Sequence, residues 1–481
     1  MAGIGFELKG LFRKKGVFNL FKAYGYAGIV TTGPMLLGIA LLLGIMFLAR
    51  TSGLGRHEQD LLVCMVTYAL LASLTVTSFF SMVTTRYIAD MLYEGKREMV
   101  LPSLLGICAI LLVLGGLLYG VFLLFAGIPF LYQLLNFILF TELIVVWMEM
   151  NYLTAVKDYK GIMMAFAAAV VTSFLMGWIL VKLFGPSVQA LLAGVCFGYG
   201  VMLIWDLVLL LQYFPRSEFS SCFTFLRWFD EYQLLAFTGL FTNIGLFSHL
   251  VLIWSSPIGV QVQGLFYGAP AHDVPALTAF LSILITTINF VVSVEVNFYP
   301  KYRIYYDLFN GKGSITDIRE AEDEMLSTLD SELVYTARKQ LYMTALVLSV
   351  GLLLLEKLPL GFNDMMEGFF RILCIGYGIY AVANTIMLML LYFTDYKGAF
   401  VATAAFAVVA TGGTIVSLMF DPVYYGIGFS VGSVVFFIAA WLRLRYFTEK
   451  LPYHILSTQP IVVEARYGVF SRISDFLEQR S

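Results

Sequence analysis

Long, continuously apolar runs constrain this chain more than any other feature of its sequence. A helix of about 20 apolar residues crosses the hydrocarbon core of a bilayer and satisfies its own backbone hydrogen bonds there. A transmembrane β-strand would instead alternate over about ten residues, which these runs do not. The sequence therefore predicts an all-α polytopic membrane protein with about 12 transmembrane helices. The predicted spans are about residues 24–49, 61–83, 101–126, 128–150, 161–184, 188–213, 232–254, 275–297, 339–356, 366–393, 398–419 and 422–445.

The composition agrees with a chain that is solvated by lipid. Of its 481 residues, 60% are hydrophobic and 13% are charged, whereas soluble domains carry about 25% charged residues. The net charge of −2 gives no indication of a nucleic-acid partner. The five cysteines form no C-x-x-C pair, so we expect packing residues and neither a metal site nor a disulfide framework.

No catalytic motif is found in a suitable context, and no cofactor is predicted. The stretch from Gly428 to Gly432 fits G-x-S-x-G by letter, but it lies inside the last predicted span. That motif requires a strand, a sharp turn and a helix. The chain also lacks a P-loop and an H-E-x-x-H pair. We therefore expect a transporter and not an enzyme.

Lysine and arginine predict the orientation, because both are enriched in cytoplasmic loops. With the amino terminus inside, all but five of the 30 Lys and Arg residues fall in cytoplasmic segments. We therefore predict that both termini are cytoplasmic. The five exceptions are Arg50, Arg56, Lys182, Lys357 and Arg371.

The spans group into two parallel six-helix lobes. The predicted divisions are an amphipathic N-terminal segment (1–23), an N-lobe (24–213), a cytoplasmic linker (214–231), a C-lobe (232–445) and a cytoplasmic tail (446–481).

The C-lobe contains a long cytoplasmic loop, at about residues 298–338. From Ser314 the loop is predicted to be helical, with an apolar side and an acidic side. A solvated helix along the membrane surface and a docking surface for a cytoplasmic partner are both open interpretations. The apolar side holds Ile318, Met325, Leu329 and Leu333, and the tail has a similar apolar face with Val469, Ile473, Phe476 and Leu477.

Two short motifs recur and indicate a duplication. The tetrapeptide DYKG follows span 4 and span 10, and an Arg-x-x-x-Asp pair followed by Gly-Lys comes after span 2 and span 8. A tight, charged turn explains both motifs, since Asp and Gly favour turns and Lys reaches the headgroups. A role in gating at the cytoplasmic face is the alternative. The motif residues are Asp158, Lys160, Asp395 and Lys397, with Arg86, Asp90, Arg303 and Asp307.

Polar and ionisable residues within the spans are candidates for a transport pathway, because such residues are expensive in lipid. Glu142 and Glu149 are seven residues apart, so both face one side of span 4, about 10 Å apart. Residues near span ends, such as Glu149, Glu295 and Arg371, have the alternative of reaching the membrane interface. The candidates are Glu142, Glu149, Asp206, His249, Glu295, Arg371, Asn243 and Asn289.

Two further features bear on transport. Gly33 and Pro34 in span 1 are a candidate hinge, because proline bends a helix and glycine permits the bend. The outer loop 255–275 holds Phe266 and Tyr267, which either stack on sugar rings or belong to the interfacial aromatic belt.

The amino-terminal sequence MAGIGFELKGLFRKKG, with AYGYAG and TTGP in span 1, resembles the PelG family of Pel exopolysaccharide systems. The twelve spans in two halves are also similar to the multidrug/oligosaccharidyl-lipid/polysaccharide exporter superfamily. The resemblance covers the whole chain. It implies a place in the cytoplasmic (inner) membrane and export of an amino-sugar polymer rich in N-acetylgalactosamine, in biofilm formation. It also implies that a partner chain, a cytoplasmic glycosyltransferase (PelF-like), synthesises the polymer. Membrane partners (PelD-like and PelE-like) and membrane lipid are the other partners that it implies.

Three functions therefore remain open. The first is polysaccharide export along a polar path between the lobes. The second keeps the fold but changes the cargo, to a lipid-linked oligosaccharide or a drug exchanged for a cation. The third is a scaffold that anchors the synthase without transporting anything.

Overall fold

The computed structural model describes residues 17–478, except 157, 216–220, 312, 358–362 and 459–466. The side chains of residues 17–27, 29–31, 34–35, 291, 295 and 354–357 also lie outside the description. Most of the predicted amphipathic segment 1–23 therefore lies outside the described residues.

Helices account for almost all of the described chain. The first six predicted spans correspond to α1 (Val17–Thr51), α2 (Arg56–Tyr93), α3 (Val100–Phe125), α4 (Phe130–Val156), α5 (Tyr159–Phe184) and α6 (Val188–Tyr213). The linker contains the short helix α7 (Arg227–Glu231). The later spans correspond to α8 (Gln233–Trp254), α9 (Pro270–Phe280) with α10 (Leu284–Val291), α12 (Ile315–Lys357), α13 (Asp364–Tyr392), α14 (Tyr396–Ser417) and α15 (Ile427–Thr448). Helix α11 (Tyr299–Asn310) follows α10, and the tail forms α16 (Leu451–Thr458) and α17 (Val469–Glu478).

Ten helices in the described part of the chain are long and apolar enough to cross a membrane. They correspond to ten of the twelve predicted spans. The first predicted span lies in α1, whose apolar part Leu36–Thr51 is shorter, and the ninth lies in α12. The all-helical membrane class is therefore confirmed, whereas the full number of spans stays a prediction.

The chain forms two compact units. The N-unit comprises Gly33–Phe247, Gly259–Ala269 and Val463–Ser481, and the C-unit comprises Met1–Thr32, Ser248–Ile258 and Pro270–Val462. The boundaries fall within α1 and α8, so these two helices each contribute to both units. These units differ from the predicted lobes, 24–213 and 232–445, which were defined by the repeated motifs. The division of the chain into those two lobes stays a prediction.

Small residues bring α5 and α6 together in the N-unit. A Cβ atom on Gly194 would lie 2.7 Å from the Gly177 Cα atom, and a Cβ atom on Gly198 would contact the backbone of Ala169. Helices approach this closely only where a small residue lies at the contact, as in G-x-x-x-G packing. The pair Gly194 and Gly198 has that spacing.

The C-unit repeats this arrangement between α14 and α15. A Cβ atom on Gly432 would lie 2.7 Å from the Ala410 Cα atom, and Gly428 packs against Gly413. The G-x-S-x-G letters are therefore a helix-packing sequence. They also form a third repeat pair, which the sequence analysis did not identify.

The predicted loop 298–338 is a helical hairpin. Helix α12 runs without a break from Ile315 to Lys357, and its 43 residues extend about 65 Å, twice the thickness of a hydrocarbon core. Its first half pairs with α11 through Lys301 and Glu324. This segment is continuous with the residues of predicted span 9, and both interpretations of it, as a helix along the membrane surface and as a docking surface, stay predictions. The predicted apolar side is confirmed, with Met325 and Leu329 buried.

One short β-hairpin interrupts the helical architecture. In the outer loop, β1 (Val260–Gln263) pairs antiparallel with β2 (Phe266–Gly268). Phe266 is fully buried against Tyr68, with ring centroids 4.9 Å apart. Stacking on a sugar is therefore excluded for Phe266 in this structure, because its ring is already packed.

The tail helix α17 is fixed to the linker within the N-unit. Asp230 accepts hydrogen bonds from the backbone N–H groups of Gly468, Phe470 and Ser471 at 3.1, 3.1 and 2.7 Å. These are the amide groups that the first turn of a helix leaves without partners. The serines of α17 face inward, so its apolar face is exposed at Val469, Ile473 and Phe476.

Candidate functional site

Three carboxylates lie between α4 and α6 in the N-unit. Glu142 Oε1 stands 3.3 Å from the position that a Cβ atom on Gly200 would occupy. Two turns further along α4, Glu149 is 1% exposed, and Asp206 on α6 is 0% exposed. Both glutamates thus face the same neighbouring helix, as their spacing of seven residues predicted.

Four oxygen atoms of these three carboxylates are buried and accept no hydrogen bond from the described residues. Among the described residues, none donates to Glu142 Oε2, to Glu149 Oε2 or to either oxygen of Asp206. A buried carboxylate without a donor is costly, so it is expected to hold a proton or to meet a ligand. The membrane-interface alternative for Glu149 is excluded in this structure, because the side chain is buried within the helices.

On its side away from α6, helix α4 is hydrogen-bonded to other helices. Asn136 Nδ2 donates to the Met65 carbonyl at 3.0 Å, and its Oδ1 accepts from the Tyr119 hydroxyl at 2.7 Å. Nearer the other end, Trp147 Nε1 donates to Ser73 Oγ at 3.0 Å. These contacts bind α4 to α2 and α3, and they fix the direction in which its glutamates point.

The C-unit holds His249 in a buried aromatic environment. Its Nε2 lies 3.2 Å from the Tyr377 hydroxyl, and its ring packs 5.3 Å from that of His272 and 4.6 Å from that of Phe429. His249 is therefore a hydrogen-bonded residue between helices.

Asn289 lies in a second polar group of the C-unit. Its Oδ1 accepts from Lys339 Nζ at 2.8 Å, and its Nδ2 donates to Thr336 Oγ1 at 2.7 Å. A few residues further along α12, Gln340 Nε2 donates to the Ser282 carbonyl at 3.3 Å. Spans 8 and 9 are thus joined by polar contacts rather than by apolar packing alone.

The remaining candidates lie apart from these groups. Asn243 lies on the part of α8 in the N-unit, and its buried Oδ1 accepts no hydrogen bond from the described residues. Arg371 forms an i, i+4 ion pair with Glu367 at 3.1 Å and is more than half exposed, which favours the interface interpretation. Glu295 lies in the π-helical stretch Val292–Phe298, and its side chain lies outside the described residues.

The hinge candidates lie within α1, whose helix is continuous through Gly33 and Pro34. The division between the two units falls at the bond between Thr32 and Gly33. A hinge at this position stays a prediction.

The repeated motifs have equivalent geometry in the two halves. Asp158 Oδ1 accepts from the Gly161 N–H at 2.9 Å, and Asp395 Oδ1 accepts from the Gly398 N–H at 3.1 Å, so each aspartate caps a helix. Arg86 and Asp90 form an i, i+4 ion pair at 3.1 Å, and Arg303 and Asp307 form another at 3.5 Å. Lys160 and Lys397 lie in the first turns of α5 and α14.

Sequence reasoning missed His272 and Lys339 as site residues. His272 lies before the predicted start of span 8, but the helix begins earlier, at Pro270, and buries the side chain completely. Lys339 was counted as a cytoplasmic charge at the start of span 9. The useful signal for His272 was the neighbouring Asp273, because an acidic residue favours the first turn of a helix.

A comparison with protein-family models shows which family this chain belongs to. The family model described as "PelG: Putative exopolysaccharide Exporter (EPS-E)" matches residues 1–456. The chain belongs to the PelG family. A search of curated proteins found no significant match. This PelG-family chain is thus a multi-pass membrane protein of an exopolysaccharide exporter family.

Solved structures show the fold. An outward-facing multidrug resistance MATE family transporter of the MOP superfamily is 14% identical, with a TM-score of 0.56, over 94% of this chain and 100% of its own. The inward-facing conformation of such a transporter gives a TM-score of 0.57 at 13% identity, over 88% and 99%. The eukaryotic MATE transporter AtDTX14 gives 0.56 at 13% identity, over 95% and 97%. The PelG-family chain therefore has a fold similar to that of MATE transporters.

Proposed function

We propose that this PelG-family chain exports a Pel-like amino-sugar exopolysaccharide across the cytoplasmic membrane, together with a cytoplasmic glycosyltransferase, for a biofilm matrix. The observation that carries the proposal is the group of buried carboxylates on α4 and α6, found in a family of exopolysaccharide exporters. Membrane helices rarely hold such residues unless they contact a substrate or an ion.

Amino sugars supply the chemistry that these carboxylates lack. Hydroxyl and N–H groups of the polymer donate hydrogen bonds, and any free amine adds a positive charge. Glu142 is the carboxylate we assign to the polymer, because it is only half-buried and stands beside Gly200, which has no side chain. Glu149 and Asp206 lie deeper, and we assign them the binding of a proton or cation.

Secretion of polymer in cells tests this assignment. A deletion strain is complemented with the wild type, with Glu142→Gln or with the control Glu98→Gln, which changes an exposed carboxylate on the turn before α3. We expect Glu142→Gln to reduce secreted polymer at least about tenfold at equal membrane levels, since one lost charged hydrogen bond is worth about 1.5–3 kcal/mol. Unchanged secretion in the deletion strain overturns the proposal.

The acidic face of the hairpin is proposed as the contact for the cytoplasmic glycosyltransferase (PelF-like). Asp323 and Asp330 are exposed on the side of α12 opposite the buried Met325 and Leu329, and Glu320 is exposed one turn earlier. The triple variant Glu320→Gln, Asp323→Asn and Asp330→Asn should co-purify less glycosyltransferase than the wild type does. Co-purification with the wild type should fall steeply as the salt concentration rises, because salt screens the charges. Replacement of exposed Asp364 and Asp421, outside the hairpin, is the control.

Two other functions predict different results. A lipid-linked oligosaccharide flippase or a cation-coupled drug exporter would transport its cargo in proteoliposomes without a glycosyltransferase. A scaffold would leave secretion unchanged in Glu142→Gln. Deletion of the chain would then release the cytoplasmic glycosyltransferase from the membrane fraction and from its membrane partners (PelD-like and PelE-like).

A further inference from the structure

The tail helix α17 turns an apolar stripe away from the protein. Val469, Ile473 and Phe476 have the i, i+4 and i+7 spacing of one helix face, and they are 67%, 42% and 52% exposed. An amphipathic helix on a soluble domain turns such a stripe towards the core and its polar side towards water. In α17 the two sides are exchanged, which is the arrangement expected where lipid rather than water lies outside.

The polar side of α17 is bound to the linker. Ser474 Oγ donates to the Phe223 carbonyl at 3.0 Å, and Arg227 Nη2 donates to Asp475 Oδ1 at 2.8 Å. Asp230 accepts hydrogen bonds from the first turn of α17. These bonds fix the rotation of α17 about its own axis, because a rotation that buried the stripe would break them. The outward direction of the stripe is therefore part of the fold.

The linker itself lies at the depth of the predicted membrane boundary. The Phe229 ring packs 5.8 Å from that of Phe79, which lies shortly before the predicted end of span 2 at residue 83. A Cβ atom on Gly106, shortly after the predicted start of span 3 at residue 101, would collide with the Cys222 carbonyl. At about 1.5 Å per residue, α2 and α3 independently place the linker about 6–8 Å inside the ends of these spans.

Helix α17 is held at the same level as this part of the linker. Its Phe470 ring packs 5.4 Å from that of Phe229, and its Ser474 is bonded to the carbonyl next to that of Cys222. Interfacial amphipathic helices bury their apolar face about 5–10 Å into the boundary between headgroups and acyl chains. Beside the linker, the exposed Leu105 begins an apolar outer surface that continues along the membrane-spanning helix α3. The depth of α17 and the surface next to it thus both indicate lipid.

We propose that α17 is an interfacial helix, with the stripe of Val469, Ile473 and Phe476 among the acyl chains at the membrane surface beside the linker. Its partner is the lipid bilayer rather than another protein. Arg472 is exposed beside the stripe, where its guanidinium reaches the headgroup phosphates. Because Asp230 holds the start of α17, the tail attaches the linker between spans 6 and 7 to the membrane surface. The inference is independent of the proposed cargo, since it uses only these contacts.

Spin labels measure what surrounds the stripe in the full-length chain. Single cysteines replace Val469 or Ile473 in a background that lacks the native cysteines and keeps the wild-type melting temperature. The protein is reconstituted in nanodiscs of phosphatidylcholine and phosphatidylglycerol. The lipid reference is Leu118→Cys, on the exposed apolar surface of α3, and the water reference is Glu98→Cys, on the turn before α3. We expect both labels on α17 to collide more with oxygen than with a water-soluble nickel chelate, as the lipid reference does.

Two outcomes of this experiment overturn the proposal. If the nickel chelate reaches both α17 labels as readily as it reaches the water reference, the stripe lies in water. If both labels are shielded from oxygen and from the chelate when the chain is purified with its membrane partners, the stripe is a protein interface.

Hydrogen exchange across Val469–Glu478 provides a second measurement. Val469→Gln puts a polar group on the stripe, and Arg472→Gln puts the same side chain on its polar flank. Glutamine is a better helix former than valine, so in water Val469→Gln would leave the opening of α17 unchanged or slow it. In nanodiscs we expect Val469→Gln to speed opening at least about threefold, because the exposed part of the valine loses its apolar surroundings. Arg472→Gln should change the rate less than about twofold, since its side chain lies among the headgroups. Opening that is no faster in Val469→Gln overturns the proposal.

Discussion

Arg443 donates from Nε and Nη2 to the two carboxylate oxygens of Asp395, at 2.6 and 2.9 Å. Asp395 also caps α14, so one side chain joins the start of this helix to α15. In the first half of the chain, Asp158 caps α5 and accepts a hydrogen bond from the Tyr213 hydroxyl on α6 at 3.1 Å. The duplication thus conserves a three-way contact within the chain, and a cation in one half replaces a phenol in the other.

Arg443→Ala should destabilise the C-unit more than Tyr213→Phe destabilises the N-unit. Asp395 is 6% exposed, and loss of its cation leaves a nearly buried charge that costs about 1–3 kcal/mol. Tyr213 is partly exposed and neutral, so its loss costs less than about 1 kcal/mol. Thermal unfolding of both variants in the same detergent measures the two losses of stability. Equal losses would show that the charge on Arg443 adds nothing to the stability of the fold.

The two turn glycines are predicted to be irreplaceable even by alanine. A Cβ atom on Gly161 would lie 2.6 Å from Leu209 Cδ1, and one on Gly398 would lie 2.7 Å from Arg443 Nε. Each replacement should cost about 1–3 kcal/mol, as overpacking does in other proteins.

Gly412→Ala is the matched control for these glycines. Gly412 lies in α14, and a Cβ atom there would meet nothing within 4 Å. Alanine is the better helix former by up to about 1 kcal/mol, so this change should raise the melting temperature. If Gly412→Ala lowered the melting temperature as much as the changes at Gly161 and Gly398 do, the close-contact explanation would be contradicted.

The docking of α17 should depend on pH through Asp230. Burial opposes ionisation of this carboxyl, but hydrogen bonds from Ser471, Phe470 and Gly468 outweigh it and lower its pKa. A lowered pKa in the folded state means that the cap stabilises docking above the unfolded-state pKa of about 3.9. That contribution is lost as pH falls through the lower folded-state value.

Hydrogen exchange across Val469–Glu478 measures this docking. We expect slow exchange at pH 7, faster opening near pH 3 after correction for intrinsic rates, and faster opening at pH 7 in Asp230→Asn. Asp475→Asn is the comparison: its ion pair with Arg227 also joins α17 to α7, but the pair is exposed, so its loss should speed opening less than Asp230→Asn does. Exchange that is equally slow in Asp230→Asn would show that the cap is not what holds α17.

Asp206→Asn should separate stability from function. Both carboxylate oxygens are buried and accept no hydrogen bond from the described residues, so a neutral side chain of the same size should leave the melting temperature unchanged or raise it. Secreted polymer should fall if this carboxyl binds a proton or cation during export. Normal secretion with a raised melting temperature would mean that Asp206 has no part in transport.

The sequence by itself determined the helical membrane class, the places of most spans and the duplication. Apolar runs must form helices in lipid, because nothing else satisfies the backbone there. The turns at the repeated motifs could also be predicted from the sequence, because an aspartate three residues before a glycine caps a helix through local contacts.

Only the tertiary structure decided which polar side chains meet. Glu149 lies near a span end, yet it is buried beside Asp206, because helix packing rather than position along the chain sets exposure. The sequence placed His272 in a loop, whereas in the structure it lies in a helix that begins at Pro270. The hairpin of α11 and α12 and the capping of α17 by Asp230 join segments distant in sequence, and no local pattern carries that information.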